Sequence, residues 1–310
     1  MKSPLYNFSE VKYNPIIKQL PTGKQKGKTI MKKMMTMVLA ILMLVSCLAA
    51  CGTAPAAPAP SADAPAAPAE APAAKTVVVG YTIYEPMNYF DNDGKLIGFD
   101  TELAEAVFGN LGYTVIFQEI DWSQKYTDLN SGTVDCVWNG FTCNTADDDG
   151  ILRSEKVDFS FNYMENRQVI VAKADAGITS AADLNGKIAA VESGSAGESY
   201  AASFEGVTIK GFLKQTDCLF EVLSGTADVA VLDAQLAKSY AGKGDYASIA
   251  IVEDLSSDVE YYAIGFKKGS ELTANVNAQL DKLAADGTIA QLAEKYNVAN
   301  TAITDFSDQK

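Results

Sequence analysis

No histidine occurs among the 310 residues, and only two arginines, Arg153 and Arg167, stand among the 25 basic residues. Without an imidazole there is no Ser-His-Asp triad, no Cys-His nucleophile and no histidine-bearing zinc site. The five cysteines form no CxxC pair, which removes the usual redox and zinc-ribbon spacings. Proline is equally uneven. Of ten prolines, six fall between Thr53 and Ala74 and only Pro86 lies beyond Lys75. The longest apolar run, Met34 to Val45, falls short of the roughly 20 residues that a membrane-spanning helix needs. Positive charge is also scarce beyond the first fifty residues. Residues 51–310 carry 17 basic and 38 acidic side chains, since eight lysines and one acid precede Cys51, so their net charge is −21. Like charge repels phosphate backbones and anionic head groups, which excludes both as partners; the plain consequence of the charge is solubility.

What is present begins with an address. Met31-Lys32-Lys33, the apolar run and Leu48-Ala49-Ala50-Cys51-Gly52 make a basic, an apolar and a small-residue segment in the order of a secretory signal. Leu-Ala-Ala-Cys resembles the bacterial lipobox, which implies lipidation of Cys51; Leu44-Val45-Ser46-Cys47 is a second, weaker match. Residues 1–30 are lysine-rich without a fold pattern, so Met31 is an alternative start. Residues 31–50 then form the signal peptide, and residues 51–75 the lipidated cysteine with its tether. An Ala/Pro-rich stretch buries no core and behaves as an extended spacer, about 3 Å per residue and roughly 60 Å in all.

From Lys75 onward strands and helices alternate. The expected elements are a strand at Thr76 to Tyr81, a helix at Thr101 to Leu111 and a strand at Tyr113 to Glu119. A second set follows: strand Lys187 to Val191, helix Ser195 to Phe204, strand Val207 to Phe212, helix Asp217 to Leu223 and strand Asp228 to Leu232. Two apolar strands, Gln168 to Lys173 and Glu260 to Phe266, separate the sets. Such alternation predicts α/β units with a largely parallel sheet. Ser131-Gly132-Thr133-Val134-Asp135 recurs as Ser224-Gly225-Thr226-Ala227-Asp228, each copy at a helix end before a short strand. In open α/β sheets ligands sit beyond the carboxyl ends of strands. That rule leads to Asn139-Gly140-Phe141-Thr142 after one copy and to Asp233 after the other.

The ordered set Gly94-Lys95-Leu96-Ile97-Gly98-Phe99-Asp100, Asp121-Trp122, Leu129-x-Ser-Gly-x-x-Asp135, Trp138-Asn139-Gly140-Phe141-Thr142 and Val157-Asp158-Phe159-Ser160 continues through Asp183-Leu184-x-Gly186-Lys187, Ser193-Gly194-Ser195, Asp233 and Val276-Asn277. Together these motifs resemble the family 3 solute-binding proteins of amino-acid ABC importers over nearly all of Thr76 to Tyr296. The resemblance implies a two-lobed periplasmic-binding-protein-like fold of type II, each lobe a mostly parallel sheet flanked by helices. It puts lobe 1 at residues 76–165 and 264–310, and lobe 2, with hinge strands, at 166–263. It implies that Tyr84 and Trp122 sandwich a ligand side chain, that Asn139 lies in the cleft, and that Gly140 and Thr142 bind the two ends of an α-amino acid. Asp233 would pair with the ammonium. The Ala196 N–H beside Ser195, and Arg153, would take the carboxylate. Glu192 and Tyr81 fall where members vary with ligand, which favours a polar or cationic side chain.

These residue types suit a zwitterion, which needs an anion for its ammonium and a planar cation or helix N-terminus for its carboxylate. Plainer readings stand beside them: Tyr84 and Trp122 as core aromatics, Ser195 as an ordinary N-cap, Arg153 as a surface residue. Arg153 lies eleven residues after Thr142, farther than the family's pattern places it, so Asn144 to Leu152 reads as an insertion at the cleft. Its Asp147-Asp148-Asp149-Gly150, like Asp91-Asn92-Asp93-Gly94, reads as a turn rather than a calcium loop. The expectation is thus a monomeric, lipid-anchored extracellular receptor with no cofactor, no metal and no catalysis, delivering an amino acid to an ABC permease. A small dehydratase on the same fold, or a solute sensor, is the alternative.

Overall fold

The computed structural model describes residues 75–310. The upstream segment, the signal peptide and the tether, with Cys47 and Cys51, lie outside the described residues. Two five-stranded sheets organise the chain. The first runs Tyr113–Glu119, Lys75–Tyr81, Cys136–Val137, Gly265–Phe266, Asp158–Phe159; its first three strands are parallel and the last two join antiparallel. The second runs Thr208–Phe212, Ile188–Glu192, Val229–Asp233, Gln168–Lys173, Ile249–Ser256, again three parallel strands followed by two antiparallel ones. The molecule is therefore α/β and two-lobed.

Local sequence explains the elements. In Lys75–Tyr81 the β-branched run puts Val77 and Val79 into the core. The helix Phe99–Asn110 begins two residues earlier than its pattern suggests and buries Phe99, Leu103, Ala104, Val107 and Phe108 against that sheet. Gln168–Lys173 is an interior strand of its sheet, paired on both sides, and its apolar residues are buried on both faces, as an unbroken apolar run requires. The faint repeat is structural. Gly132 and Gly225 both end a helix in the left-handed conformation, with φ of 77° and 81°. Asp135 and Asp228 then each accept the N–H of a neighbouring parallel strand, from Val78 and Ile188, at 2.7 and 2.8 Å.

One expected element divides. Glu260 to Phe266 is not a single strand. Glu260–Tyr262 pairs with Met164–Asn166 in a two-stranded ribbon, whereas Gly265–Phe266 belongs to the first sheet. Between them Ala263 donates to the Phe141 carbonyl and Ile264 to the Ser160 hydroxyl, so the chain changes partners as it passes from ribbon to sheet. That ribbon, with the chain running on from Asn166 into Gln168–Lys173, links the lobes. Among the described residues no helix is long and apolar enough to cross a membrane.

Candidate functional site

The strand ends of the two sheets face one another across a narrow cavity of about 10 Å³, room for one water. Lobe 1 lines it with Trp122, Asn139, Gly140, Thr142 and Arg153; lobe 2 lines it with Glu192, Ser195, Ala196, Gln215 and Asp233. Two expected residues are not part of this lining. Tyr81 turns its ring edge-on to Phe117. Tyr84 is fully buried, its hydroxyl 2.7 Å from that of Tyr262 and its ring packed behind Gly140. Tyr84 is thus set behind the cavity wall, bonded to Tyr262, while Trp122 lines the cavity and packs edge-on against Phe141. Gly140 has φ +59°, and a Cβ there would lie 2.7 Å from Tyr84. Its N–H donates to Asp100, which also accepts from Tyr163, so the Gly-Phe-Asp motif supports the cleft from beneath. Asn139 spends its side chain on Thr82 and Asn88.

Arg153 stays in the cleft despite the insertion. Residues 146–152 form a small hairpin, closed by the bridge of Ala146 with Leu152, which returns the chain to the cleft wall. The guanidinium is 1% exposed, stacks over Phe141, and donates from Nε to Asp147 at 2.7 Å. Its terminal nitrogens reach only backbone carbonyls, Thr142 in its own lobe and Gly194 in the other, each at 3.3 Å. Partial burial pushes Asp147 up, but Arg153, Lys156 and Tyr126 outweigh it and hold its carboxyl down to about 2. Arg167 is exposed and donates to the Ser257 carbonyl, away from the cavity.

The opposite wall is acidic. Asp233 ends its strand with its carboxylate held by the amides of Asn166, Gln168 and Gln215, and burial raises its pKa. Glu260 lies beside it, pushed up to about 7 by burial and by Asp233. Glu192, at the neighbouring strand end, is 3% exposed, and burial followed by Asp233 pushes it up to about 8. Its Oε1 has no hydrogen-bond partner among the described residues. A buried acceptor without a donor costs free energy, so this oxygen suits a donor brought by a ligand. Ser195 caps the short helix Ala196–Ala202 by accepting from Glu198, so the ordinary N-cap role is filled even as the residue lines the cavity.

The model of the bacterial extracellular solute-binding proteins, family 3, matches residues 77–299. The chain belongs to this family. It is 30% identical to the arginine-binding extracellular protein ArtP of Bacillus subtilis, over 72% of this chain and 86% of that protein. It is 31% identical to the L-cystine-binding protein TcyA of Bacillus subtilis, over 69% of this chain and 77% of that one. Among solved structures, an ancestral arginine-binding protein bound to arginine aligns with a TM-score of 0.65 and 33% identity, covering 71% of this chain and 97% of that one.

This family 3 protein carries site residues that its sequence pattern did not mark. Lys125 is buried, lies 4.6 Å from the centre of the Tyr126 ring and 5.3 Å from that of Trp122, and crosses the cleft to donate to Gly194 at 2.9 Å. Burial, then Arg153, push its pKa down to about 7. A lysine at a helix start reads as solvated, and nothing local betrays the aromatic walls around it. Gln168 did carry a signal, being the one polar residue heading an otherwise apolar buried strand. Glu260, Asn166 and Gln215 gave none, since their importance lies in partners distant in the chain: Asn166 meets Glu260 across 94 residues and Gln215 meets Asp233 across 18.

Proposed function

We propose that this chain is the lipid-anchored receptor of an ABC importer and captures an L-amino acid with a cationic side chain, arginine foremost. The observation that carries the reading is the charge layout of the cavity. A planar cation, Arg153, stands on one lobe, while two carboxyls, Asp233 and Glu192, stand at adjacent strand ends of the other. In this reading Arg153 takes the ligand carboxylate with the Ala196 N–H, while the Ser195 N–H donates to the Glu192 carbonyl. Gly140 and Thr142 serve the two ends of the zwitterion, Asp233 takes the α-ammonium, Glu192 takes the side-chain cation, and Trp122 covers the aliphatic stem, with Tyr84 and Tyr81 behind the wall. The arginine-binding relatives support this ligand class, while the L-cystine-binding relative supports only an amino acid.

The lipid anchor is Cys51, with Cys47 as the lesser choice. The protein works as a monomer, without cofactor, at the outer face of the cytoplasmic membrane, and hands its cargo to the permease. Calorimetry against the twenty amino acids plus cystine and ornithine tests the ligand class. Arginine, lysine and ornithine should bind one to one and at least about tenfold tighter, or about 1.4 kcal/mol, than glutamine or cystine. Equal affinity for neutral amino acids would sink the assignment of Glu192. The raised carboxyls also fit a general acid, so turnover of a candidate substrate, rather than stoichiometric binding, would favour the dehydratase alternative.

A further inference from the structure

The ammonium end of the cleft holds a carboxyl that the preceding reading leaves unused. Glu260 sits on the hinge ribbon, paired there with Asn166. The Asn166 amide donates to Asp233 Oδ1 at 2.7 Å and to Glu260 Oε1 at 2.6 Å, and the Gln168 amide donates to the same two oxygens at 2.6 and 2.7 Å. Each amide nitrogen has two hydrogens diverging by roughly 120°, so both are spent and the two oxygens stand roughly 4–5 Å apart. The remaining donors are neutral too: Gln215 and the Tyr262 hydroxyl to Asp233, and Thr142 to Glu260.

The surroundings supply no compensating charge. Tyr84 and Tyr262 face the pair from lobe 1 and the ribbon, Glu192 from the next strand end, Cys143 beside Glu260, and Asp100 from beyond Tyr84. The guanidinium of Arg153 is directed at Asp147 and at two backbone carbonyls, and the Lys125 ammonium, which acts on Glu192, donates to the Trp122 and Gly194 carbonyls. Two buried like charges that share the same neutral donors are not both ionised without cost; one proton stays until a cation replaces it. Burial acts in the same sense on both groups.

We propose that Asp233 and Glu260 form the ammonium site together, sharing one proton while no cation lies against them, and that capture of an amino acid expels that proton to solvent. The step balances: the pair carries −1 with its proton, and −2 with a +1 ammonium against it. Glu260 thereby ties ligand charge to the strands on which the lobes turn. This inference rests on the proposed function above.

Calorimetry in buffers of different protonation enthalpy counts the protons released on binding. At pH 6 the wild-type protein should release close to one proton on binding glutamine, whose side chain is uncharged, falling towards none at pH 8.5. Affinity should rise over that window, by up to about tenfold per pH unit. Glu260→Gln should lose both the release and the pH dependence, whereas Glu260→Asp should keep them, which separates charge from disturbance of the ribbon. Repeating the titration on Glu192→Gln, also with arginine, removes the other raised carboxyl as a source; release should persist. Binding without proton exchange in the wild type, or equal release from Glu260→Gln, overturns the proposal while leaving the function intact. No binding of any amino acid by the wild type overturns the function, and this inference with it.

Discussion

Replacing Arg153 by alanine tests the site where the sequence departs most from its family. The guanidinium is 1% exposed, so a ligand carboxylate paired with it would be withdrawn from water. Its two terminal nitrogens now make only 3.3 Å bonds to carbonyls, contacts that a carboxylate would readily take over. Removing one partner of a buried charge pair costs about 2–5 kcal/mol, or roughly 30-fold to several-thousandfold in affinity. Stability should fall less, because Asp147 keeps Lys156 and Tyr126 as donors. Arg153→Lys should recover part of the affinity, since it keeps the charge and loses the fork. The assay is calorimetry with arginine, alongside a thermal melt of each variant and of the exposed control Arg167→Ala. If Arg167→Ala abolishes binding and Arg153→Ala does not, the assignment is wrong. If both are neutral, the carboxylate rests on the backbone N–H of Ala196.

The unliganded protein should lose stability as pH rises from 5 to 7. Glu192, Glu260 and Asp100 are raised to about 8, 7 and 7, so the native state holds protons that the unfolded chain has released, and stability falls as pH rises through that window. Lys125, lowered to about 7, acts oppositely only above that value. Melting temperatures at pH 5, 6 and 7 check this, and a rise with pH would contradict the burial of those carboxyls. Cys51→Ser should release the protein from the membrane or leave its precursor unprocessed; normal retention would point to Cys47.

Much of this molecule was legible because its signals are local. Periodicity located the strands Tyr113–Glu119 and Gln168–Lys173 to the residue, and the twin Ser-Gly-Thr-x-Asp segments marked the same helix-to-strand turn in both lobes. Counting back from Asp158-Phe159-Ser160 placed Arg153 where the hairpin leads it. What stayed hidden depends on long-range meeting. Tyr84 was read as facing ligand because nothing near it foretells the hydroxyl of Tyr262, 178 residues away. The break at Ala263 and Ile264 escaped because an apolar run looks the same whether it stays in one sheet or passes between two.

The contacts between the lobes differ in front of and behind the cleft. Behind it, buried apolar residues of both lobes join one core and Gln235 donates to Thr301 and to the Glu165 carbonyl; across its mouth, Lys125 and Arg153 share the Gly194 carbonyl, Asp148 accepts from Ser199, and Lys214 pairs with Glu119 at the rim. The two exposed ones, Ser199 with Asp148 and Lys214 with Glu119, are worth about 1 kcal/mol or less each. Capture of cargo between the lobes, as proposed above, requires an open and a closed arrangement within a few kcal/mol of each other. Moving such an equilibrium from 1:99 to 99:1 takes about 5.5 kcal/mol of differential binding. Two charged ends of one amino acid, each desolvated against a partner on a different lobe, are of a size to supply it. A large apolar interface would hold the lobes shut regardless of cargo. The hairpin at residues 146–152 is consistent with that balance, since it secures Arg153 within lobe 1 through Asp147 and adds only the single Asp148–Ser199 contact across the cleft.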